Sequence, residues 1–582
     1  MEKITLFRLQ LKSAVAGTQE LFFRGNAQAS QEGLRFRAGE TAGFDTFFNL
    51  FSHAKYAKYC GISAVTLCLH GEGKFCAKLF YADGAGKDTL LSEREFTDQT
   101  RLDADLSALP QEGFVYFTLT ALSDALLFGG EYEAEAHTNP VKLGIVICTY
   151  RRETYVAENL RRLTEGAGNA WKERLHVFVI DNASTLSLPE GELHTIFPNK
   201  NTGGSGGFTR GMMEVCARKE YTHMLLMDDD VSFSFETVEK TYSLLCCLKE
   251  EHRLAAVGGA MLILDRPQTQ FEFGAYFNGV FNESVNSLLD LSKRDSLLKN
   301  EREPKTNYNA WFYCCIPVEY PKSHGLPLPF FIKYDDIEYG LRCMKELIVM
   351  NGIALWHEDF EKKYSLVLEY YHKRNLLVTS ALHCRPKPFR RAAHMLYYAL
   401  KQLSLKRYDA AELTLRAGED FLRGPDFFAQ TDSEQLNKEL LSRRLTLKNA
   451  DELSQIAGKD VRGVQARKRP SNASRAAAVF ENFLPAFLYT SKIAVCDENT
   501  AQSTHTFRRR TCVYYNPAAG TGYVCELDAR RRNKLRRRAL RLFFRMLGGY
   551  RKAAKAYKKG APALCTEEAW KIRLGLDRTD KT

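Results

Sequence analysis

The spacing of apolar positions changes character twice along the chain. Over residues 1 to about 138, short segments alternate apolar and polar side chains, as in Thr5-Leu6-Phe7-Arg8-Leu9-Gln10-Leu11 and Leu34-Arg35-Phe36-Arg37-Ala38. Residues 63–69 and 114–120 read the same way. A period of two puts neighbouring side chains on opposite faces of a strand. Short strands at close spacing, with Gly-rich turns such as Gly71-Glu72-Gly73, predict a β-sandwich over 1–138. The aromatics Phe44, Phe47, Phe48, Phe51, Tyr56 and Tyr59 read as its core in preference to a sugar-stacking platform.

Past the Asn139-Pro140 boundary the strands become continuously apolar and helical patterns separate them. Residues 143–150 form one such strand, and a helical pattern follows through Leu163. A second, 176–180, ends in Asp181-Asn182-Ala183-Ser184. A Gly-rich stretch over 199–208 is expected to open a helix at Thr209-Arg210. Then Met224-Leu225-Leu226-Met227 runs directly into Asp228-Asp229-Asp230. This alternation predicts a parallel, doubly wound sheet, with ligands at the strand C-termini. Another strand over 256–262, a polar insertion over 282–306 and a short strand ending Trp356-His357 complete a domain over 139–385. From 386 to 582 helical patterns dominate, at 392–405, 410–421 and 434–447. The expected fold is therefore an α/β Rossmann-like core with an N-terminal β-sandwich and a C-terminal helical region.

Composition adds two constraints. The 582 residues suggest roughly three or four domains, and 45% hydrophobic with 26% charged content is that of a globular chain. The net charge of +12 is concentrated after Lys459, first in a low-apolar basic linker over 459–475 and then between Arg530 and Lys559. Apolar residues at 535, 539, 542, 543, 546 and 547 share one helical face opposite those charges. Such a helix fits an anionic membrane surface; packing of its apolar face on the body is the alternative. No nucleic-acid-binding module accompanies the charge, so nucleic acid is not an expected partner. Fifteen scattered cysteines without paired CxxC spacing argue against a disulfide or metal-thiolate framework and for a reducing compartment. Without a signal-peptide core or a spanning apolar run, the expected location is cytoplasmic, peripheral at the inner face of the cell membrane.

Three adjacent carboxylates at the mouth of a core strand repel one another strongly and call for a cation. A hard divalent ion accepts such oxygens; a solvated acidic turn is the equal alternative on these residues alone. The Gly-rich stretch is neither a Walker A nor a GxGxxG turn, but its glycines would let backbone approach a ligand closely. Asp335-Asp336, after Leu326-Pro327-Leu328-Pro329-Phe330-Phe331-Ile332-Lys333-Tyr334, are either base candidates or acids favoured at a helix N-terminus. His357, close to the end of its strand, could complete an Asp-rich metal shell.

In order, these pieces resemble the GT-A fold of family 2 glycosyltransferases, and more narrowly the bacterial galactofuranosyltransferases that build galactan from UDP-galactofuranose. The resemblance rests on Thr149-Tyr150-Arg151, Asn201-Thr202-Gly203-Gly204-Ser205-Gly206-Gly207-Phe208-Thr209-Arg210-Gly211, Met227-Asp228-Asp229-Asp230, Tyr308-Asn309-Ala310-Trp311, the 328–336 run, Trp356-His357 and Tyr371-His372-Lys373-Arg374-Asn375. It covers most of the chain; Phe312 and Tyr334 depart from it where tryptophans are expected. The resemblance implies Mn²⁺ or Mg²⁺ on Asp228, Asp230 and His357. It implies uridine and phosphate contacts from Arg151, Asp181, Asn182 and Asn201, with Gly204, Asp229 and His372 as further substrate contacts. Asp336 would be the base of a single inverting displacement, with Asp335 and Trp311 positioning the acceptor. The implied partners are a UDP-sugar donor and a glycan or lipid-linked glycan acceptor, with room for a homo-oligomer. The competing expectations are a different nucleotide sugar, rhamnosyl or glucosyl, and a non-catalytic glycan-binding scaffold with neither UDP affinity nor metal dependence.

Overall fold

The computed structural model describes residues 2–13, 15–189, 191–358, 365–443, 445–465 and 470–577. The expected linker over 459–475 lies partly outside them; at its end Asn472–Ala478 is helical. Two compact units emerge, Met1–Leu326 with Tyr339–Glu358, and Pro327–Glu338 with Asp359–Thr582.

The first unit opens with two antiparallel sheets of six and five strands. Alternation is visible in their burial: in Gln99–Asp105 every second residue is buried. Phe36 of one sheet meets Phe75 of the other edge-on at 5.6 Å, and Phe44 stacks on Phe117 at 4.1 Å. Phe44, Phe47, Phe48, Phe51, Tyr56 and Tyr59 are all buried, so they are core and not a sugar platform. Each such ring contributes about 1.5–3 kcal/mol of burial.

The central sheet follows. His194–Pro198, Leu175–Asp181, Leu143–Thr149 and His223–Asp228 are adjacent and parallel, as the sequence pattern predicts. Tyr313–Pro317 comes next and runs antiparallel to both its neighbours, His223–Asp228 and Ala256–Ile263. The sheet is therefore mixed, not purely parallel. The chain between Ile263 and Tyr313 folds into short strands and the helix Arg294–Glu301, so it re-enters in the opposite sense. Leu347–His357 pairs parallel with Ala256–Ile263 and brings the chain back to the same edge.

The second unit contains the expected helices as Pro388–Ser404, Tyr408–Leu422 and Ser433–Leu441, the last ending short of 447, and an unexpected one, Leu366–His383. It also contains a four-stranded sheet absent from the sequence reading, built from Lys448–Asn449, Thr521–Glu526, Thr511–Asn516 and Ala494–Asp497. Cys512 and Tyr514 face one apolar cluster, Val513 and Tyr515 another. A strand buried on both faces carries no alternation, so the period-two test passes over it.

The basic helix extends over Ala529–Leu564. Its apolar stripe of Leu535, Ala539, Leu542 and Met546 is buried against Pro388–Ser404 and Tyr408–Leu422. A Cβ on Gly418 would approach Leu542 Cδ2 to 2.8 Å. Of the two expectations for this stripe, packing on the body is the one observed: burial on its own unit has removed these residues from water. Among the described residues no helix is long and apolar enough to cross a membrane.

Candidate active site

Register places the polar strand ends side by side. Thr149 lies opposite Asp181, and Cys148 opposite Asp228. After Asp230 the chain forms the two-residue strand Val231–Ser232, which pairs with His357 and Trp356. This short ladder delivers His357 to the aspartates. Ligand atoms of Asp228, Asp230 and His357 lie within 4.8 Å of one another, and His357 Nε2 is 3.0 Å from Asp230 Oδ1. His357 Nδ1 is 2.6 Å from the Glu358 carbonyl oxygen. A carbonyl only accepts, so Nδ1 carries a proton and Nε2 is the nitrogen left for a metal.

Asp229 turns the other way. Thr149 Oγ1 donates to its Oδ2 at 2.6 Å, Arg152 Nη1 to its Oδ1 at 2.7 Å, and Asn159 Nδ2 to its carbonyl at 2.7 Å. It is buried, and Thr149 and Arg152 each engage one of its carboxylate oxygens. Arg152 also lies 2.7 Å from Asp230 Oδ2. The neighbouring Arg151, expected at the nucleotide, is exposed, has a left-handed backbone (φ 56°) and lies over the Tyr150 ring. What distinguishes Arg152 is its place immediately before the helix Glu153–Ala167, which aims it back across the strand end.

Burial pushes the Asp229 carboxyl up against the opposing pull of Arg152 and Thr149. Burial acts on Asp230 too, but the His357 hydrogen bond and the nearby His357 and Arg152 charges outweigh it and hold that carboxyl down. Burial likewise works against a charged His357, yet Asp230 and Asp228 outweigh it and raise its pKa. Two carboxylates and an imidazole converging in this way suit a divalent ion of the Mn²⁺ type. A second three-residue cluster, Cys68, Glu131 and Glu133, does not fit one. Its Glu133 already pairs with Lys3 and Arg101, both at 2.9 Å, and burial together with Glu133 pushes the Cys68 thiol up to about 12.

On the other side of Thr149, Asp181 is buried and accepts from the backbone N–H groups of Ala183 (2.9 Å), Thr185 (2.6 Å) and Leu186 (2.7 Å), shaping the turn it opens. Asn182 Nδ2 donates to the Gly203 carbonyl at 3.0 Å, and Asn201 Oδ1 accepts from Gly203 N–H at 3.0 Å. The helix starts here, at Gly203, and not at Thr209 as expected. Its glycines divide into two kinds. A Cβ on Gly207 would lie 2.0 Å from Cys148 Sγ, and one on Gly211 2.1 Å from Val146 Cγ1, so these two exist for close helix–strand packing. Gly204 has nothing within 4 Å of a Cβ and stays open to a ligand. Trp311 is buried between Phe208 and Tyr339, and its Nε1 finds no acceptor among the described residues.

Asp335 and Asp336 belong to the second unit and occupy the first turn of the helix Asp335–Cys343, both half-buried. Asp336 Oδ1 accepts from Ile337 N–H at 2.8 Å. Just before them Phe331, Lys333 and Tyr334 all have left-handed backbones, with φ of 75°, 65° and 71°. Each such non-glycine residue costs of order 1 kcal/mol or more and persists only where its surroundings hold it. Here Asn375 Nδ2 donates to the carbonyls of Ile332 (2.9 Å) and Lys333 (2.8 Å), and Arg374 Nη2 to that of Phe330 (2.6 Å). His372 packs edge-on to Tyr334 at 5.1 Å, and burial holds its pKa well below the usual value, so it is neutral. Arg374 and Asn375 carry a structural role that the sequence reading did not assign.

With that geometry in hand, similarity to known proteins is informative. Residues 144–258 match the model for glycosyl transferase family 2. The chain carries a family 2 glycosyltransferase domain. It is 26% identical over 438 residues to the galactofuranosyltransferase GlfT2 of Mycobacterium tuberculosis, covering 68% of this chain and 67% of the relative. It is also 26% identical over 418 residues to GlfT2 of Mycolicibacterium smegmatis, covering 66% and 64%. The glycosyltransferase thus spans about two thirds of the length of those relatives. Among solved structures it aligns with a mannosyltransferase of Pyrobaculum calidifontis in complex with GDP-Man and Mn²⁺, at 12% identity and TM-score 0.29, over 52% of this chain and 81% of that one. It aligns with TarS of S. aureus at 14% identity and TM-score 0.29, over 52% and 91%. Superpositions this loose carry no further argument.

Proposed function

We propose that the protein is a metal-dependent, inverting galactofuranosyltransferase that extends a lipid-linked cell-surface glycan with galactofuranose from UDP-galactofuranose. The observation that carries this reading is the convergence of Asp228, Asp230 and His357 at the strand edge of a family 2 domain. The likeness to proteins named as galactofuranosyltransferases supports the choice of sugar.

In this reading Asp228, Asp230 and His357 hold Mn²⁺ or Mg²⁺, and the imidazole favours Mn²⁺. When bound, such an ion neutralises the donor diphosphate and the departing UDP. Arg152, through Asp229 and Asp230, fixes the ligand carboxylates before the donor arrives. Asp181, Asn182, Asn201 and Arg151 frame the nucleotide, and the helix N-terminus at Gly204 offers its backbone N–H to phosphate. Trp311 offers its indole N–H to a sugar hydroxyl. Asp336 takes the proton from the acceptor hydroxyl as it attacks the anomeric carbon, and Asp335 orients that hydroxyl. One displacement inverts the anomeric centre and releases UDP.

The test is Asp336→Ala in purified protein. Nucleotide-sugar binding should stay near wild type while transfer falls by about 10²–10⁴-fold, the usual weight of general base catalysis. Transfer at a normal rate would remove Asp336 from this role.

A further inference from the structure

The run from Pro327 to Tyr334 leads directly into Asp335-Asp336, forms no helix or strand, and is buried except at Ile332 and Lys333. Buried backbone carbonyls need hydrogen-bond donors. Pro327 and Pro329 bring no backbone N–H, so the run is poorly equipped to supply its own. One bond is internal, from the Phe330 N–H to the Leu328 carbonyl at 2.7 Å. Beyond it the run depends on side chains from other elements. Arg374 and Asn375 of Leu366–His383 serve Phe330, Ile332 and Lys333.

The Pro327 carbonyl is served from 243 residues further along the chain. Trp570, fully buried, donates its indole Nε1–H to it at 2.9 Å. Pro327 is where the chain enters the second unit, so this bond fixes the near end of the run while Asn375 fixes the far end. Trp570 lies on the helix Glu567–Leu574, which is itself well held. Thr566 Oγ1 caps its start by accepting from the Ala569 N–H at 3.1 Å, and Gly575 ends it in a left-handed turn. Arg573, on the same helix, donates from Nη2 to the Phe428 carbonyl at 2.6 Å, and the Phe428 ring lies 6.0 Å from that of Phe330. The helix therefore reaches the run twice, directly at Pro327 and through Phe428 at Phe330. A reacting group is sensitive to such support, since a misplacement of about 1 Å can cost about 10²-fold in rate.

We infer that the helix Glu567–Leu574 positions the acidic pair for transfer, with Trp570 as the positioning residue that pins the start of the run and Arg573 as the anchor of its helix. The purpose of the pin rests on the proposed role of Asp336 as the base; the pinning itself is independent of that role. Trp570 touches no reacting atom and acts through the backbone that leads to Asp335 and Asp336.

The test is the full chain carrying Trp570→Phe, which keeps an aromatic ring and removes the donor. Amide hydrogen exchange over 328–334 should speed up about tenfold, the weight of one hydrogen bond, while exchange in Leu143–Thr149 stays as in the wild type. With UDP-galactofuranose and a water-soluble oligosaccharide acceptor, kcat should fall about tenfold and the KM for the donor should stay within about twofold. Arg573→Met should move both readouts the same way by about threefold. Trp171→Phe is the control for general loosening: Trp171 is a buried tryptophan of the first unit, packed on Phe235 and Tyr242. It should leave both the exchange of the run and kcat unchanged. Unaltered exchange of the run in Trp570→Phe overturns the inference, as does a wild-type kcat in that variant or the same response in Trp171→Phe. A wild-type chain that transfers no galactofuranose counts against the proposed function, and the exchange of the run in Trp570→Phe then still upholds or overturns the pin.

Discussion

Three aspartates in a row divide their work by the direction each side chain takes. Asp228 and Asp230 face the strand edge with His357, whereas Asp229 is anchored inward by Thr149 and Arg152. Arg152→Met should therefore weaken metal binding about 10–100-fold, as loss of an outer partner to a ligand does, with nucleotide binding in the absence of metal little changed. Titration of Mn²⁺ into the metal-free variant, followed by calorimetry, reads this directly; wild-type affinity would contradict it. At this scale the acidic run alone left a solvated turn as an equal reading, and what the fold adds is that Asp228, Asp230 and His357 come together. The inward turn of Asp229 was not legible, since adjacent residues in a sequence give no hint of which one a neighbouring helix will engage. The same limit hides the contacts of Arg152 with Asp229 and Asp230.

Elements carry their own demands. Gly207 lies in the stretch expected to approach a ligand, yet it and Gly211 are there because the helix Gly203–Ala217 lies against Leu143–Thr149. Gly211→Ala should destabilise the fold by about 1–3 kcal/mol through overpacking against Val146, whereas Gly204→Ala should leave stability within about 0.5 kcal/mol and act on donor binding. Chemical denaturation of the two variants separates these outcomes. The loop ahead of Asp335 is the other case. Its left-handed residues depend on Asn375, which is buried and spends its amide on the carbonyls of Ile332 and Lys333. Asn375→Leu should cost about 1–3 kcal/mol and lower kcat more than it raises KM, because the acidic pair loses its support. A pure KM effect would contradict that account. Strand identity in the central domain was readable from continuous apolar runs. The antiparallel Tyr313–Pro317 and the doubly buried Thr511–Asn516 were not, because pairing sense and two-sided burial leave no period in the chain.

On the scale of the whole molecule, the leading sheets and the α/β core are joined in the first unit through polar groups that the sequence could not pair. Lys240 is buried with its Nζ 3.9 Å over the Phe7 ring and no hydrogen-bond partner among the described residues. Burial lowers its pKa from 10.5 to about 7. Between those values the unfolded chain holds a proton that the fold sheds, so unfolding takes up a proton and stability rises with pH. Lys240→Met should flatten that rise and, by removing an unsatisfied buried amine, stabilise the protein at neutral pH by about 1 kcal/mol or more. Thermal melting across this range checks both signs. The same scale holds the functional claim, the proposed metal-dependent transfer. The most direct measurement is turnover of a panel of nucleotide sugars by the purified chain with Mn²⁺, after chelation, and after the metal is restored. The account predicts transfer from UDP-galactofuranose, lost on chelation and recovered with Mn²⁺. Turnover of a different nucleotide sugar with none of UDP-galactofuranose, or transfer indifferent to chelation, would contradict it.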